Sequence, residues 1–366
     1  MPELLTAVNA ALATVIDPEI RRPITELGMV ASVDVDTDGQ VAVEVLLTVA
    51  GCPLAASIEN DVRTAVEGVD GVTGVQVTLG TMDDEQRAAL RARLQSGEGE
   101  REIPFAKPDS ATRVILVASG KGGVGKSSVT ANLALALASL GRRVGLLDAD
   151  IYGHSIPPML GLRDAAPTMV DDMLLPVGAL GVSVMSIGML KQTPDQVIAW
   201  RGPILDRALQ QFLADVYWGD LDFLIVDLPP GTGDVALSLG HKVPNAELIV
   251  VTTPQQASAD VAERAGTMAG MLDQRVVGVI ENMAYLDVAC PHCGESQQLD
   301  VFGSGGGAEV AATLTERLGY EVPLLARVPL DPEVSASGDA GVPLVTANAD
   351  RPAAQALVSV ARALIG

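Results

Sequence analysis

The sequence predicts an α/β fold, a mostly parallel sheet covered by helices on both faces, preceded by a small α+β domain. From residue 111 to residue 366, apolar strand-like runs alternate with helical stretches, and this alternation is typical of parallel sheets. Residues 1–94 contain a smaller set of helical and strand-like stretches, which predicts the small α+β domain. Residues 95–110 are charged, contain glycine and proline and lack periodicity, so we interpret them as a linker between two domains.

The first domain is predicted to run helix, hairpin, helix, strand. ELLTAVNAALATVI has helical spacing, and MVASVDVDTDGQVAVEVLLT alternates on both sides of a turn at Asp38 and Gly39. PLAASIENDVRTAVEGV predicts the second helix and VTGVQVTL the last strand.

The second domain opens on a strand, a glycine-rich loop and a helix. RVILVAS (113–119) predicts a buried strand, and SSVTANLALALASLG predicts a helix that ends at Gly141. Between them, Gly120, Gly125, Lys126 and Ser127 fit the phosphate-loop pattern G-x-x-x-x-G-K-[ST].

Such a loop binds nucleotide phosphates, because its glycines turn backbone N–H groups toward the phosphate and the helix adds the positive end of its dipole. Lys126 is expected to reach the β- and γ-phosphates of ATP, and the Ser127 hydroxyl to bind Mg²⁺. The predicted nucleotide-binding residues of the loop are Gly120, Lys121, Gly122, Gly123, Val124, Gly125, Lys126, Ser127 and Ser128.

Three carboxylates end two further predicted strands. Asp148 and Asp150 follow VGLL, and Asp227 follows LDFLIV. Because ligands bind at the carboxyl ends of strands in open α/β sheets, we expect all three near the phosphates, with Asp227 on the Mg²⁺ ion. PPGTGD, which follows, is predicted to be a switch segment that senses the γ-phosphate.

Lys121 has two interpretations. A second lysine five residues before Lys126 is difficult to aim at the same phosphate from the same loop. It is either a solvated loop residue or a group supplied across a symmetric dimer, as an arginine finger is.

Charge and patterning argue against nucleic acid and membrane partners. Lys and Arg number 24 against 46 Asp and Glu, a net charge of −22, which disfavours DNA and anionic lipid. Residues 173–190 are uncharged over about the length of a membrane span, but one proline and three glycines favour two strands with a turn. The amphipathic C-terminal stretch carries only Arg351 and Arg362 as cations. The N-terminus lacks a signal-peptide pattern, so we expect a cytoplasmic protein.

The ordered motifs resemble the Mrp/ApbC family of iron-sulfur cluster carrier ATPases, within the MinD/ParA group of deviant Walker A proteins. The similar stretches are KGGVGKSS, DADIYGHSIP, RGPILDRALQQFL, LDFLIVDLPPGTGD, VTTPQQ, and GVIENM followed by CPHC. They cover the chain from about residue 110 to its end. DPEI, ELGMV and LLTVAGCPL resemble the small domain of iron-sulfur assembly factors.

This resemblance implies roles for individual residues. Lys126 acts on the nucleotide of its own subunit, and Lys121 reaches the nucleotide of the opposing subunit in a sandwich dimer. Asp150 orients the attacking water, and Asp148 joins Asp227 on the Mg²⁺ side. Asn282 is similar to an adenine-reading asparagine. His154 departs from the family, in which proline is expected.

Cys290 and Cys293 form a C-x-x-C pair that suggests a metal centre in a reducing compartment. A [4Fe-4S] cluster normally takes four cysteine ligands, which a twofold dimer would supply as two plus two. Zn²⁺ on the same four thiolates is the rival, since related targeting ATPases bind zinc in that way. His292 is expected to face solvent, and a disulfide is less favoured. Cys52, in the first domain, is either a buried structural thiol or a transient cluster or partner contact.

We therefore expect a homodimer that binds and slowly hydrolyses ATP, receives a cluster from an iron-sulfur scaffold donor and transfers it to apo-proteins. The main alternative is a zinc-clasped targeting or positioning ATPase of the MinD/ParA group. An electron-transfer enzyme resembling nitrogenase iron protein stays open as a third class.

Overall fold

A computed structural model describes residues 2–48, 54–94, 102–150, 153–171, 173–190, 202–231, 233–255, 264, 267 and 269–366. The chain folds as two compact units. The first comprises Met1–Glu100, Pro167–Pro176 and Asp215–Gly219, and the second comprises Arg101–Ala166, Val177–Ala214 and Asp220–Gly366.

The first unit has the predicted α+β elements. They are α1 (Pro2–Leu12), β1 (Val30–Val35), β2 (Gln40–Leu47), α2 (Ala55–Glu67), β3 (Gly74–Thr81) and α3 (Asp84–Leu94). Strands β1 and β2 form an antiparallel hairpin around Gly39, whose φ of 79° suits the turn, and β3 lies parallel to β2. Helix α3 is an addition to the elements predicted from the sequence.

A hairpin from the middle of the chain completes the core of the first unit. The hairpin of β6 (Thr168–Val170) and β7 (Met173–Leu175) buries Val170, Met173 and Leu175 in the same cluster as Leu12 and Val43. The Thr168 hydroxyl donates to the Glu19 carboxylate at 2.8 Å. This hairpin lies within residues 111–366, which the sequence predicts to be the second domain, and the predicted domain boundaries stay a prediction.

The second unit is built on an eight-stranded sheet in the order β15-β12-β11-β4-β10-β5-β9-β8. Every neighbouring pair is parallel except β8 with β9, so the predicted fold class is confirmed. The strands are β4 (Arg113–Ser119), β5 (Val144–Asp148), β8 (Val177–Ala179), β9 (Val182–Ser186), β10 (Phe223–Asp227), β11 (Glu247–Thr252), β12 (Arg275–Glu281) and β15 (Leu324–Arg327). A separate hairpin joins β13 (Leu286–Ala289) and β14 (Ser296–Leu299).

The helices of the second unit cover this sheet. They are α4 (Lys126–Ser139), α5 (Ile156–Met159), α6 (Gly202–Ala214), α7 (Asp234–Lys242), α8 (Gly306–Leu318), α9 (Pro332–Asp339), α10 (Leu344–Ala347) and α11 (Pro352–Ile365). The amphipathic C-terminal stretch is α11, and its apolar side chains, Leu357 and Leu364 among them, are buried in the same core as α4. Residues 173–190 form short strands and a 3-10 helix. No described helix has the length and hydropathy needed to cross a membrane.

The parallel register brings the predicted nucleotide-site residues together at the carboxyl ends of the strands. Asp227 is the last residue of β10 and lies opposite Asp148, the last residue of β5. Strand β4, on the other side of β10, leads directly into the glycine loop. The sheet therefore places two buried carboxylates beside the N-terminus of α4.

We expect Met173→Ala to destabilise the first unit by about 2–5 kcal/mol, because it opens a cavity in a shared core. Urea unfolding, monitored by hydrogen exchange of the backbone amides in β1–β3, measures this loss in the free energy of unfolding. Met169→Ala is the matched control, since Met169 lies in the same hairpin with 55% of its surface exposed, and it should change stability by about 0.5 kcal/mol or less. Equal effects of the two substitutions would contradict the packing.

Candidate functional site

The glycine loop has the backbone that phosphate binding requires. Gly123 and Gly125 have φ of 79° and 78°, which favours glycine. A Cβ at Gly123 would meet no other atom within 4 Å, so this part of the loop faces open space. The loop is anchored at Val124, whose carbonyl accepts a hydrogen bond from Asn282 Nδ2 at 2.8 Å.

Asp227 is the centre of a buried hydrogen-bond network. Its Oδ1 accepts from Lys126 Nζ at 2.7 Å and lies 2.8 Å from the Thr130 hydroxyl. Its Oδ2 accepts from the Ser127 hydroxyl at 2.6 Å. The Asp227 side chain is fully buried and that of Lys126 is 6% exposed, so the pair survives burial only because each charge is compensated.

Asp148 lies next to this network and is also fully buried. Its carboxylate accepts from the Ser186 hydroxyl at 3.0 Å and from the backbone N–H of Asp150 at 3.1 Å. Burial, followed by the negative charge of Asp227, raises the pKa of Asp148 to about 7. The buried carboxylates of Asp148 and Asp227 repel each other when both are ionised, so a cation bound between them would be favoured.

The oxygen atoms of Ser127, Asp148 and Asp227 fit a Mg²⁺ ion. This ion prefers oxygen ligands and normally completes its shell with water and phosphate oxygens. Two fully buried carboxylates at paired strand ends, with the Ser127 hydroxyl bonded to one of them, support the fit, because a divalent cation would favour the ionised form of both. The open glycine loop beside Lys126 fits the phosphates of a nucleotide in the same way.

Asp150 begins the loop that follows β5. Its Oδ1 accepts from the backbone N–H of Gly153 at 3.0 Å, and its side chain is largely buried. Residues 151–152 lie outside the described residues. His154 has a φ of 43°, which proline cannot adopt, so the proline that the family resemblance leads us to expect at this position would require a different backbone.

Lys121 and Asn282 are bonded within the chain. Lys121 Nζ donates to Gln255 Oε1 at 3.1 Å rather than to a group of the phosphate loop. Asn282 packs so closely on the loop that a Cβ at Gly125 would overlap its amide group. Asn282 therefore lies against the phosphate loop, and its contact with adenine stays a prediction.

The two described cysteines sit in the turn of the β13–β14 hairpin. The backbone N–H of Cys290 donates to the Glu295 carbonyl at 2.8 Å, and that of Gly294 donates to the Cys290 carbonyl at 2.9 Å. Both cysteines are free thiols, and Cys293 and His292 are exposed. Hydrogen bonds from the backbone N–H groups of Cys293 and His292, and then from the Cys293 thiol, lower the pKa of Cys290.

This turn favours a thiolate, which is the form that binds metals. Cys52, the third thiol of the sequence, lies outside the described residues. Among the residues that are described, no three His, Cys, Asp or Glu side chains come together as a metal site.

Thr130 and Ser186 were not identified from the sequence. Thr130 lies one helical turn after Lys126, so the i, i+4 spacing on α4 is a signal that could have found it. Ser186 ends β9, the neighbour of β5, and the strand-end rule that found Asp148 applies to it as well.

A family described as NUBPL iron-transfer P-loop NTPase matches residues 110–365. The chain belongs to this family. A second family, described as iron-sulfur cluster assembly protein, matches residues 5–79. The predicted resemblance and the prediction of a P-loop ATPase are confirmed at the level of the family.

Relatives over nearly the whole chain have consistent names. A Mycobacterium tuberculosis protein named iron-sulfur cluster carrier protein is 55% identical over 362 residues, which is 99% of this chain and 93% of that protein. A Deinococcus radiodurans protein of the same name is 45% identical and covers 98% and 94%. A solved nucleotide-binding protein from Archaeoglobus fulgidus, in complex with ADP, is 39% identical with a TM-score of 0.52 over 63% of this chain and 86% of that one.

We expect Thr130→Val to lower the free energy of unfolding by about 1–3 kcal/mol, because the buried Asp227 carboxylate loses a hydroxyl partner while side-chain volume is kept. Thr130→Ser keeps the hydroxyl and is the matched control. Thermal unfolding of the nucleotide-free protein measures both. A Thr130→Val protein that is as stable as Thr130→Ser would show that the hydroxyl does not support Asp227.

Proposed function

We propose that the protein is an iron-sulfur cluster carrier ATPase. It binds and slowly hydrolyses ATP, holds a cluster between two copies of the chain, and transfers that cluster to apo-proteins. One observation carries the proposal: two free thiols in one hairpin turn, Cys293 exposed and Cys290 half-buried, lie in the same compact unit as the phosphate-loop site. The names of the relatives agree with a carrier role.

The cysteine turn suits a cluster that is carried rather than kept. Two thiols per chain are half of the four that a [4Fe-4S] cluster normally takes, and a twofold dimer supplies the other half. Cys293 is exposed and Cys290 is half-buried, so an acceptor protein can approach the ligands. A scaffold donor can load the same face.

The surface of the hairpin supports the dimer. Leu286 pairs with Leu299 across the two strands, and Val288 lies two positions from Leu286 on the same face. Val288 and Leu299 are 37% and 41% exposed. A two-stranded hairpin is only marginally stable alone in water, and an exposed apolar face marks an interaction site. A second copy that covers this face would place the two cysteine pairs together.

At the nucleotide site, each polar group has a proposed task. Lys126 and the loop amides hold the phosphates, and Asn282 holds the adenine. Ser127, Asp148 and Asp227 hold Mg²⁺, which neutralises phosphate charge when it is bound. Asp150 orients the attacking water by accepting its hydrogen bond. Reduced thiols of the kind this role needs are maintained in the cytoplasm, where we place the protein.

Lys121 is proposed to act on the nucleotide of the second subunit. In the single chain its ammonium is bonded to Gln255, away from the pair of Lys126 and Asp227. A cation that arrives from the opposing subunit would offset charge that develops on the phosphates during hydrolysis.

Anaerobically purified protein should be brown and hold about four irons and four sulfides per dimer, and both Cys290→Ala and Cys293→Ala should lose them. Metal and sulfide analysis with the visible spectrum measures this. Cys52→Ala is the matched control and should keep the cluster. Colourless protein with about one zinc per dimer, which forms no cluster from added iron and sulfide, would refute the carrier and favour the zinc-clasped targeting or positioning ATPase.

Mixing two inactive variants tests the role of Lys121. Lys121→Ala and Asp150→Asn should each abolish hydrolysis. In a mixed dimer, one site combines its own Asp150 with the partner's intact lysine, so an exchanged equimolar mixture should regain about a quarter of wild-type ATPase activity. A mixture that dimerises and exchanges but stays inactive would show that Lys121 acts within its own subunit.

A further inference from the structure

Two consecutive residues at the end of β12 bond to different parts of the second unit. Asn282 Nδ2 donates to the Val124 carbonyl of the phosphate loop at 2.8 Å. Glu281 Oε2 accepts from the backbone N–H of Gly307, in the first turn of α8, at 2.7 Å. The end of β12 therefore touches both the nucleotide loop and the segment that follows the cysteine hairpin.

The segment that precedes the hairpin is linked to the same carboxylate through Arg327, the last residue of β15. Arg327 Nε donates to Glu281 Oε1 at 2.9 Å. The Arg327 guanidinium also lies over the ring of Tyr285, 5.5 Å from its centre, and Tyr285 directly precedes β13. Glu281 thus holds Gly307 after the hairpin directly, and Tyr285 before it through Arg327.

This junction is tightly packed. The Glu281 side chain is fully buried, and both of its oxygens have donors. A Cβ at Gly307 would lie 2.6 Å from the Glu281 Cβ, and a Cβ at Gly306 would lie 2.6 Å from the Pro254 carbonyl oxygen. Closely packed protein interiors have low compressibility, so a shift of Glu281 is passed on to the backbone at Gly307.

We propose that Glu281 is a positioning residue that transmits nucleotide occupancy from the phosphate loop to the turn of Cys290 and Cys293. The proposal rests on the proposed carrier function, for which it gives a route of coupling. A nucleotide in the loop acts on Val124 and on the Asn282 amide. The adjacent Glu281 then moves both anchors of the hairpin together and changes the position of the two thiols.

The test follows thiol reactivity in the reduced, metal-free full chain. Alkylation of Cys290 and Cys293 by iodoacetamide is timed by peptide mass spectrometry, without nucleotide and with Mg²⁺ and a non-hydrolysable ATP analogue. In the wild type, the two conditions should differ by about fivefold or more, the lower end of ordinary allosteric coupling. In Glu281→Gln the ratio should fall toward one while nucleotide affinity by calorimetry is kept, because the NH2 group that replaces one carboxylate oxygen cannot accept from the donor that faces it.

Glu247→Gln is the matched control. Glu247 also accepts from an arginine, Arg113, at 2.7 and 2.9 Å, and that guanidinium also lies over an aromatic ring, Phe223, at 5.4 Å. This cluster lies at the starts of β4, β10 and β11, the opposite edge of the sheet. Glu247→Gln should keep the wild-type ratio. Arg327→Leu, which releases only the Tyr285 side, should reduce it.

Three results would overturn the proposal. Glu281→Gln could keep the ratio of alkylation rates that the wild type shows, or Glu247→Gln could lose that ratio to the same extent as Glu281→Gln. The wild type itself could show equal alkylation rates with and without nucleotide. None of these depends on bound iron, so they are distinguishable from a failure of the carrier function, which the iron and sulfide content of the purified protein reports separately.

Discussion

The nucleotide site depends on the buried carboxylate of Asp227. A charge in this position is costly unless donors surround it, and the sheet supplies them by placing β10 beside the strand that leads into α4. The first residues of α4 then present an ammonium and a hydroxyl to the two carboxylate oxygens. Lys126 and Ser127, at the end of the phosphate loop, are thereby held in defined positions by their bonds to Asp227.

The two functional elements of the second unit differ in burial, and this difference suits their tasks. The carboxylates of the nucleotide site are buried and densely hydrogen-bonded, which strengthens their electrostatic interactions. The cysteine hairpin is exposed on both strands, which suits a cargo that enters and leaves. The strand end at Glu281 and Asn282 lies between these elements. The proposed coupling of ATP binding to the retention of a cluster requires such a connection between the buried site and the exposed hairpin.

Much of this site was predictable because its signals are local. The spacing of Gly120, Lys126 and Ser127 and the strand ends at Asp148 and Asp227 follow from short patterns and one topological rule. The contacts of Glu281 and the core position of Met173 were not predicted, because each depends on which strand or unit a segment joins. A single sequence does not state those pairings. The contact of Asn282 with Val124 depends on two loops 158 residues apart, which periodicity cannot reveal.

The central claim is that one cluster joins two copies of this ATPase through their exposed cysteine turns. Native mass spectrometry of the anaerobic, cluster-loaded protein tests it most directly. The account predicts a dimer that carries the mass of a single [4Fe-4S] cluster, and a Cys293→Ala protein that carries none. A cluster found on the monomer, or two clusters on the dimer, would contradict it.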